Sequence, residues 1–118
     1  MDNKLGTMEY RFMSIIWENE PISSMKLVQL CAQQFDWKKS TTYTMLKRLI
    51  EKRVVENNDT VVTSLISQAE VRAKESDIFI NETFKGSLPG FIAAFFDGKS
   101  ISDEEAEELK KLIDSYRR

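Results

Sequence analysis

The chain has 118 residues, 42% of them hydrophobic and 31% charged, with four Gly, two Pro, one Cys and no His. That length and apolar content support one packed domain, or a small domain with an appendage, and so little Gly and Pro argues against a loop-rich all-β fold. The lack of His, with a single Cys, removes the commonest general base and makes a zinc site untenable.

No glycine-rich phosphate loop and no nucleophile–base signature is present, so neither catalysis nor a cofactor nor a metal is expected. The longest nearly apolar run, Leu88 to Phe96, is too short to cross a bilayer. The opening MDNKLGTMEYRF lacks the cationic start and apolar stretch of a signal peptide. A cytoplasmic protein without membrane insertion is expected, with Cys31 as a small core hydrophobe.

In chain order, Met8, Phe12, Ile15 and Ile16, closed by Trp17, predict a first helix over 6–18. Gly6 or Thr7 is its N-cap candidate, and Glu9 stands in the first turn, where the helix dipole favours an acid. Asn19-Glu20-Pro21 breaks the pattern. Ser23 then caps a second helix over 24–35, with Ile22 and Leu27 spaced as a hydrophobic staple and Leu27, Val28, Leu30 and Cys31 facing inward. A turn around Phe35–Lys39 leads into a third helix within 36–53, whose stripe is Thr42, Met45, Leu46 and Leu49. Val54-Val55-Glu56 and Val61 to Leu65 predict two strands, with Asn57-Asn58-Asp59 as the turn between them. Three short helices followed by a hairpin are the layout of a winged helix-turn-helix; a plain hairpin cap on a helical bundle is the simpler alternative.

Net charge is −2, but it is unevenly spread. Residues 36–53 hold six cations and two acids, a local +4, whereas residues 68–118 hold eight cations and eleven acids, a local −3. The third helix therefore presents a basic, hydroxyl-rich face. Lys38, Lys39, Ser40, Thr41, Tyr43, Thr44, Lys47 and Arg48 are the candidate DNA contacts, suited to phosphates and base edges. The bland alternative is a solvated helix face. The overall acidity predicts modest affinity with a strong salt dependence.

From Ser67 the chain is helical again. Ser67-x-x-Glu70 is a capping box for a helix reaching about Phe84 and stopping before Gly86. Ser87-Leu88-Pro89 starts a short helix to about Phe96, and Ser102-x-x-Glu105 opens a last one to Tyr116. The acids from Asp103 to Glu108 suit a helix start and imply no binding role. This half carries more apolar stripe than three short helices can bury. Ile78, Phe79, Phe84, Leu88, Phe91 and Ile92 belong to it, and so do Phe95, Phe96, Leu109, Leu112 and Ile113. A second copy covering these residues gives a two-fold homodimer and a palindromic DNA site; packing onto the chain's own front half is the alternative. The fold class is mainly α with a small β-hairpin: a winged helix-turn-helix over 1–67 and a three-helix dimerisation region over 68–118.

Leu5, Glu9, Met13, Ile16 and Trp17, then Trp37, Thr41, Thr44, Arg48, Leu49 and Glu51-Lys52, resemble the penicillinase-repressor (BlaI/MecI/CopY) family. Phe79, Lys85-Gly86, Ile101-Ser102, Glu105, Glu108 and Leu109 extend the resemblance into the second half. It implies a homodimeric transcriptional repressor of palindromic operator DNA. Thr41, Tyr43 and Thr44 then face bases, and Ser40, Lys47 and Arg48 lie near phosphates or base edges. In antibiotic-responsive members a membrane sensor triggers proteolysis in the dimerisation half, between an Asn and a Phe. The matching bond here is Ala94–Phe95, with Ala in place of Asn. The paired Cys-x-Cys motifs of copper-responsive members are absent. Arg53 stands where the family pattern has Gly, the wing Asn57 to Thr60 has no Lys, and Pro89 fits only the first turn of its helix. The rival reading, favoured by the acidic total and the wing without Lys, is a helical protein-interaction module whose winged helix binds a protein.

Overall fold

A computed structural model describes residues 4–118. Among the described residues the order is α1 (Thr7–Asn19), β1 (Ile22–Ser23), α2 (Ser24–Phe35), α3 (Lys39–Glu51), β2 (Val55–Asn58), β3 (Val61–Ser64), α4 (Gln68–Phe84), α5 (Leu88–Phe95) and α6 (Asp103–Ser115). The chain divides into two compact units at Asp77/Ile78, a point inside α4.

In the first unit, three helices and a small antiparallel sheet enclose one core. Phe12, Met13, Ile15 and Ile16 of α1 meet Leu27 and Cys31 of α2 there. Thr42, Met45, Leu46 and Leu49 of α3 complete the helical side, so the stripe read from the sequence is the buried face. Val54, Val55 and Val62 close the sheet side. Burying one such aliphatic side chain stabilises by about 1.5–3 kcal/mol, so the stripe anchors α3 firmly. Ser23 caps α2 as expected, its hydroxyl accepting the Lys26 N–H at 3.1 Å. Asp36 ends that helix in the left-handed region, at φ 56°.

The sheet corrects two expectations. It has three strands in the order β1-β3-β2, not a bare hairpin. Ile22 and Ser23 pair with Val62 and Val61, and the Ser24 N–H donates to the Thr60 carbonyl at 2.8 Å. Two residues are too short to show strand periodicity, so the cap and staple signals hid this strand. The hairpin turn also lies further on than Asn57-Asn58-Asp59. Asn58 pairs with Val61, which leaves Asp59 and Thr60 as a two-residue loop, both at positive φ (50° and 69°). Such a loop matches the right-handed twist of the flanking strands.

Side-chain hydrogen bonds fasten the C-terminal end of α1. The Trp17 indole N–H donates to the Ile66 carbonyl at 3.0 Å, and Glu20 accepts the Ser64 N–H at 2.7 Å and its hydroxyl at 2.8 and 2.9 Å. The start of α4 follows, with the Ser67 hydroxyl accepting the Glu70 N–H at 3.0 Å. Val71 enters the core, and the Tyr10 hydroxyl accepts from Gln68 and Arg72, each at 3.2 Å.

The second unit has the remainder of α4, then α5 and α6. Lys85 and Gly86, at φ 52° and 82°, end α4. Ser87 and Ser102 cap α5 and α6 by accepting the Gly90 and Glu105 N–H groups, and Pro89 sits in the first turn of α5. Phe79, Phe84 and Phe91 form an edge-to-face triangle with centroids 5.5–5.9 Å apart. Even so, no residue from Ile78 to Arg118 is buried in the single chain.

Arg53 makes the bend from α3 into the sheet at φ 63°. A left-handed conformation costs a non-glycine residue about 1–2 kcal/mol, offset in glycine by about 0.5–1 kcal/mol of backbone entropy. Arg53→Gly is therefore expected to stabilise the chain by about 0.5–1 kcal/mol, read as a higher urea midpoint.

Candidate nucleic-acid interface

The α3 helix is held from beneath by its buried stripe and from its N-terminal side by Trp37. That ring lies 6.0 Å from Phe12 in a stacked arrangement and 4.9 Å from Phe35, over which Arg11 sits at 5.0 Å. The aromatic stack fixes the tight turn between α2 and α3. Lys38 is the N-cap residue and supplies no side-chain cap, so no capping side chain satisfies the first N–H groups of α3, beside Lys38 and Lys39. A helix start with free N–H groups and adjoining cations suits an anion.

The outward face carries the residues singled out from the sequence. Lys38, Lys39, Ser40, Thr41, Thr44, Lys47 and Arg48 are exposed. Four of them, Ser40, Thr41, Thr44 and Arg48, line one open hollow with Trp37 and Met45. Lys47 does not line it. Tyr43 is half-buried and turned toward α2, its hydroxyl 3.4 Å from that of Ser24, with Lys39 over its ring at 5.9 Å. The Thr44 hydroxyl donates to the Ser40 carbonyl at 2.9 Å, which directs its oxygen lone pairs outward as acceptors. At the wing, Asn57 to Thr60 are all exposed and bring no cation.

Glu9 has a larger part than its place in a first turn implied. Its carboxylate is nearly buried at the meeting of α1 and the end of α3. Oε1 accepts the Gly6 N–H at 2.8 Å and the Lys52 ammonium at 2.8 Å, while Oε2 faces Arg48 Nη1 at 4.0 Å. Lys52 also donates to the Lys4 carbonyl at 3.0 Å. Burial by itself would raise the Glu9 pKa. The Gly6 N–H, the hydrogen bond and charge of Lys52 and the charge of Arg48 together outweigh that effect and hold the carboxyl below its ordinary value. Sequence reading missed this clasp because its partners lie about 40 residues apart. The only available signal was that Glu9, Arg48 and Lys52 all belong to the family-like set.

In the second unit seven of the eleven candidate interface residues share one groove, and Ile78, Phe79, Phe84 and Leu112 do not line it. Leu88, Phe91, Ile92, Phe95, Phe96, Leu109 and Ile113 line an apolar groove of about 460 Å³, with Ile101, Ala106 and Lys110. Phe79, Leu88, Phe95, Leu112 and Ile113 expose between 48% and 55% of their surface. Ile78 and Phe84 are half-buried. The Ala94–Phe95 bond lies in the last turn of α5. Its Ala94 carbonyl accepts the Asp97 N–H at 3.3 Å, and Lys99 donates to the Phe95 carbonyl at 3.1 Å. No helix among the described residues is long and apolar enough to cross a membrane.

Comparison with known proteins bears on this face. The family model described as penicillinase repressor matches residues 5–115. A methicillin resistance regulatory protein MecI of Staphylococcus aureus is 30% identical over 120 residues, spanning 96% of this chain and 98% of the relative. A penicillinase repressor of Bacillus licheniformis is 24% identical over 118 residues, spanning 97% and 92%. Among solved structures, the DNA-binding domain of the repressor BlaI superposes with a TM-score of 0.53 at 24% identity, over 59% of this chain and 93% of that one. The last likeness establishes the winged-helix fold of the front half.

The clasp yields a pH dependence. A carboxyl whose pKa is lowered by folding contributes stability that is complete above its unfolded value, 4.5, and is lost as pH falls through the lower folded value. Glu9→Gln is expected to cost about 1–2 kcal/mol at pH 7 and to flatten the loss of stability below pH 4.5, measured by thermal melts across pH.

Proposed function

Because the chain belongs to the penicillinase-repressor family, we propose that it is a homodimeric transcriptional repressor that binds palindromic operator DNA in the cytoplasm and has no catalytic activity. The observation that carries the reading is the division of α3. Four residues anchor it in the core, while Ser40, Thr41, Thr44 and Arg48 share one open hollow on the other side.

In this reading α3 enters the major groove. Arg48, Thr41 and Thr44 meet base edges, and Lys38, Lys39, Ser40 and Lys47 meet phosphates. Tyr43, turned toward Ser24, contacts DNA at the border of α2 and α3. The wing adds little, because its tip carries Asp59 and no cation. Residues 1–67 bind DNA and 68–118 dimerise. The groove and the exposed faces of α5 and α6 meet their counterparts in a second copy, setting two α3 helices at the spacing of successive major grooves. Occupancy of the promoter is then ended by an upstream signal. A sensor-triggered cut at Ala94–Phe95 would divide this surface, and α5 must first unwind, since both carbonyls are engaged.

The acidic total and the wing without Lys favour a second reading, in which the same face binds a protein. Salt separates the two. Each phosphate contact contributes a slope of about −0.9 to log K against log salt.

Arg48→Ala and Thr44→Ala are each expected to weaken operator binding by about 1–3 kcal/mol without unfolding the chain. A mobility-shift assay on DNA from the chain's own promoter measures this, and unchanged shifts for both variants would remove α3 as the reader. Light scattering should give twice 13.7 kDa at micromolar concentration, and Phe91→Asp or Phe95→Asp should give monomers; a wild-type monomer contradicts the dimer.

A further inference from the structure

We propose that Glu9 is a positioning residue that sets how well the chain discriminates operator from other DNA, by holding Arg48 in place and keeping Lys52 off the phosphates. The inference rests on the DNA-binding reading given above. Glu9 does not itself line the DNA-facing hollow.

The geometry assigns different duties to the two carboxylate oxygens. Oε1 is filled by the Gly6 N–H and Lys52, and the second Lys52 bond, to the Lys4 carbonyl, commits that ammonium to the protein. The Lys52 side chain is only 30% exposed, against 55% for Arg48. Oε2 faces one guanidinium nitrogen of Arg48 at 4.0 Å, beyond hydrogen-bond distance. A guanidinium carries five N–H donors in a rigid fork, so one edge can lean on Glu9 while another stays open to the hollow. The Glu9 charge draws Arg48 toward this edge of α3, which lowers the side-chain entropy lost on binding a base edge.

The clasp also limits charge. Glu9, Lys52 and Arg48 sum to +1 where the two cations alone give +2. Phosphates are present on every sequence, so an unrestrained Arg48 and a freed Lys52 strengthen binding to any duplex. A buried carboxylate behind the reader therefore trades indiscriminate affinity for orientation.

The test compares full-length wild type, Glu9→Gln and Lys52→Gln. Binding is measured by fluorescence anisotropy over a range of salt, on a duplex from the chain's own promoter and on a scrambled duplex of equal length. Glu9→Gln keeps an acceptor for the Gly6 N–H but has no charge. It is expected to lower the ratio of operator to scrambled affinity about tenfold. Scrambled-duplex affinity should rise, and the salt slope per chain should steepen by about one to two. Lys52→Gln breaks the same clasp but leaves Oε2 behind Arg48, so it should keep the wild-type ratio. Equal losses on both duplexes for Glu9→Gln, an unchanged ratio, or a Lys52→Gln variant that loses discrimination equally would each overturn the proposal in favour of a purely structural clasp. A wild-type chain with no preference for promoter DNA would instead overturn the DNA-binding reading beneath it.

Discussion

The burial of one side of α3 is the constraint on which the rest of the molecule depends. Thr42, Met45, Leu46 and Leu49 recur at helical spacing and all reach the core, so the rotation of α3 about its own axis is set by packing. With that rotation set, Ser40, Thr41, Thr44 and Arg48 face solvent together. The supports act at different points along the helix. The stack of Trp37 on Phe12 and Phe35 defines where α3 starts, the Glu9 clasp ties its end to α1, and Arg53 turns the chain into the sheet. In the proposed function α3 must approach DNA in one orientation, and these supports suit it, because a loosely held helix loses its discrimination to entropy.

The second unit follows the opposite logic. Its helices are capped and its rings pack edge to face, yet none of its residues is buried in the single chain. A set of aromatic and aliphatic side chains left half-exposed is costly in water and marks an interaction face. The proposed dimer gives that surface a use and couples it to the first unit: whatever removes the second copy also removes the pairing of the two readers. In that proposal control of occupancy and recognition of sequence reside in different halves of one short chain, and the boundary between the two units falls inside α4.

Much of this was legible in the residues. The α3 stripe, the Ser23, Ser67, Ser87 and Ser102 caps and the aromatic surplus after Ile78 are local signals, and local signals survive in a single sequence. What escaped was non-local or too short. Strand β1 has two residues, and pairing with β3 is all that makes it a strand. The turn at Asp59-Thr60 is set by register; its Asn-Asn-Asp neighbourhood misplaced it, and Thr60 is an unusual choice for positive φ. Glu9 looked like an ordinary first-turn acid because nothing near it in sequence announces Lys52 or Arg48. On α3 the residues singled out from the sequence are exposed except Tyr43, which lies further round toward α2 than a helical wheel conveys.

The central claim, that the outer face of α3 is where this chain meets DNA, is tested most directly by titrating a promoter duplex into isotope-labelled protein and following amide chemical shifts. The account predicts that the largest changes fall on Lys38 to Arg48 and the start of α2, with α6 little affected. Changes confined to the α5–α6 groove, with α3 silent, would contradict it.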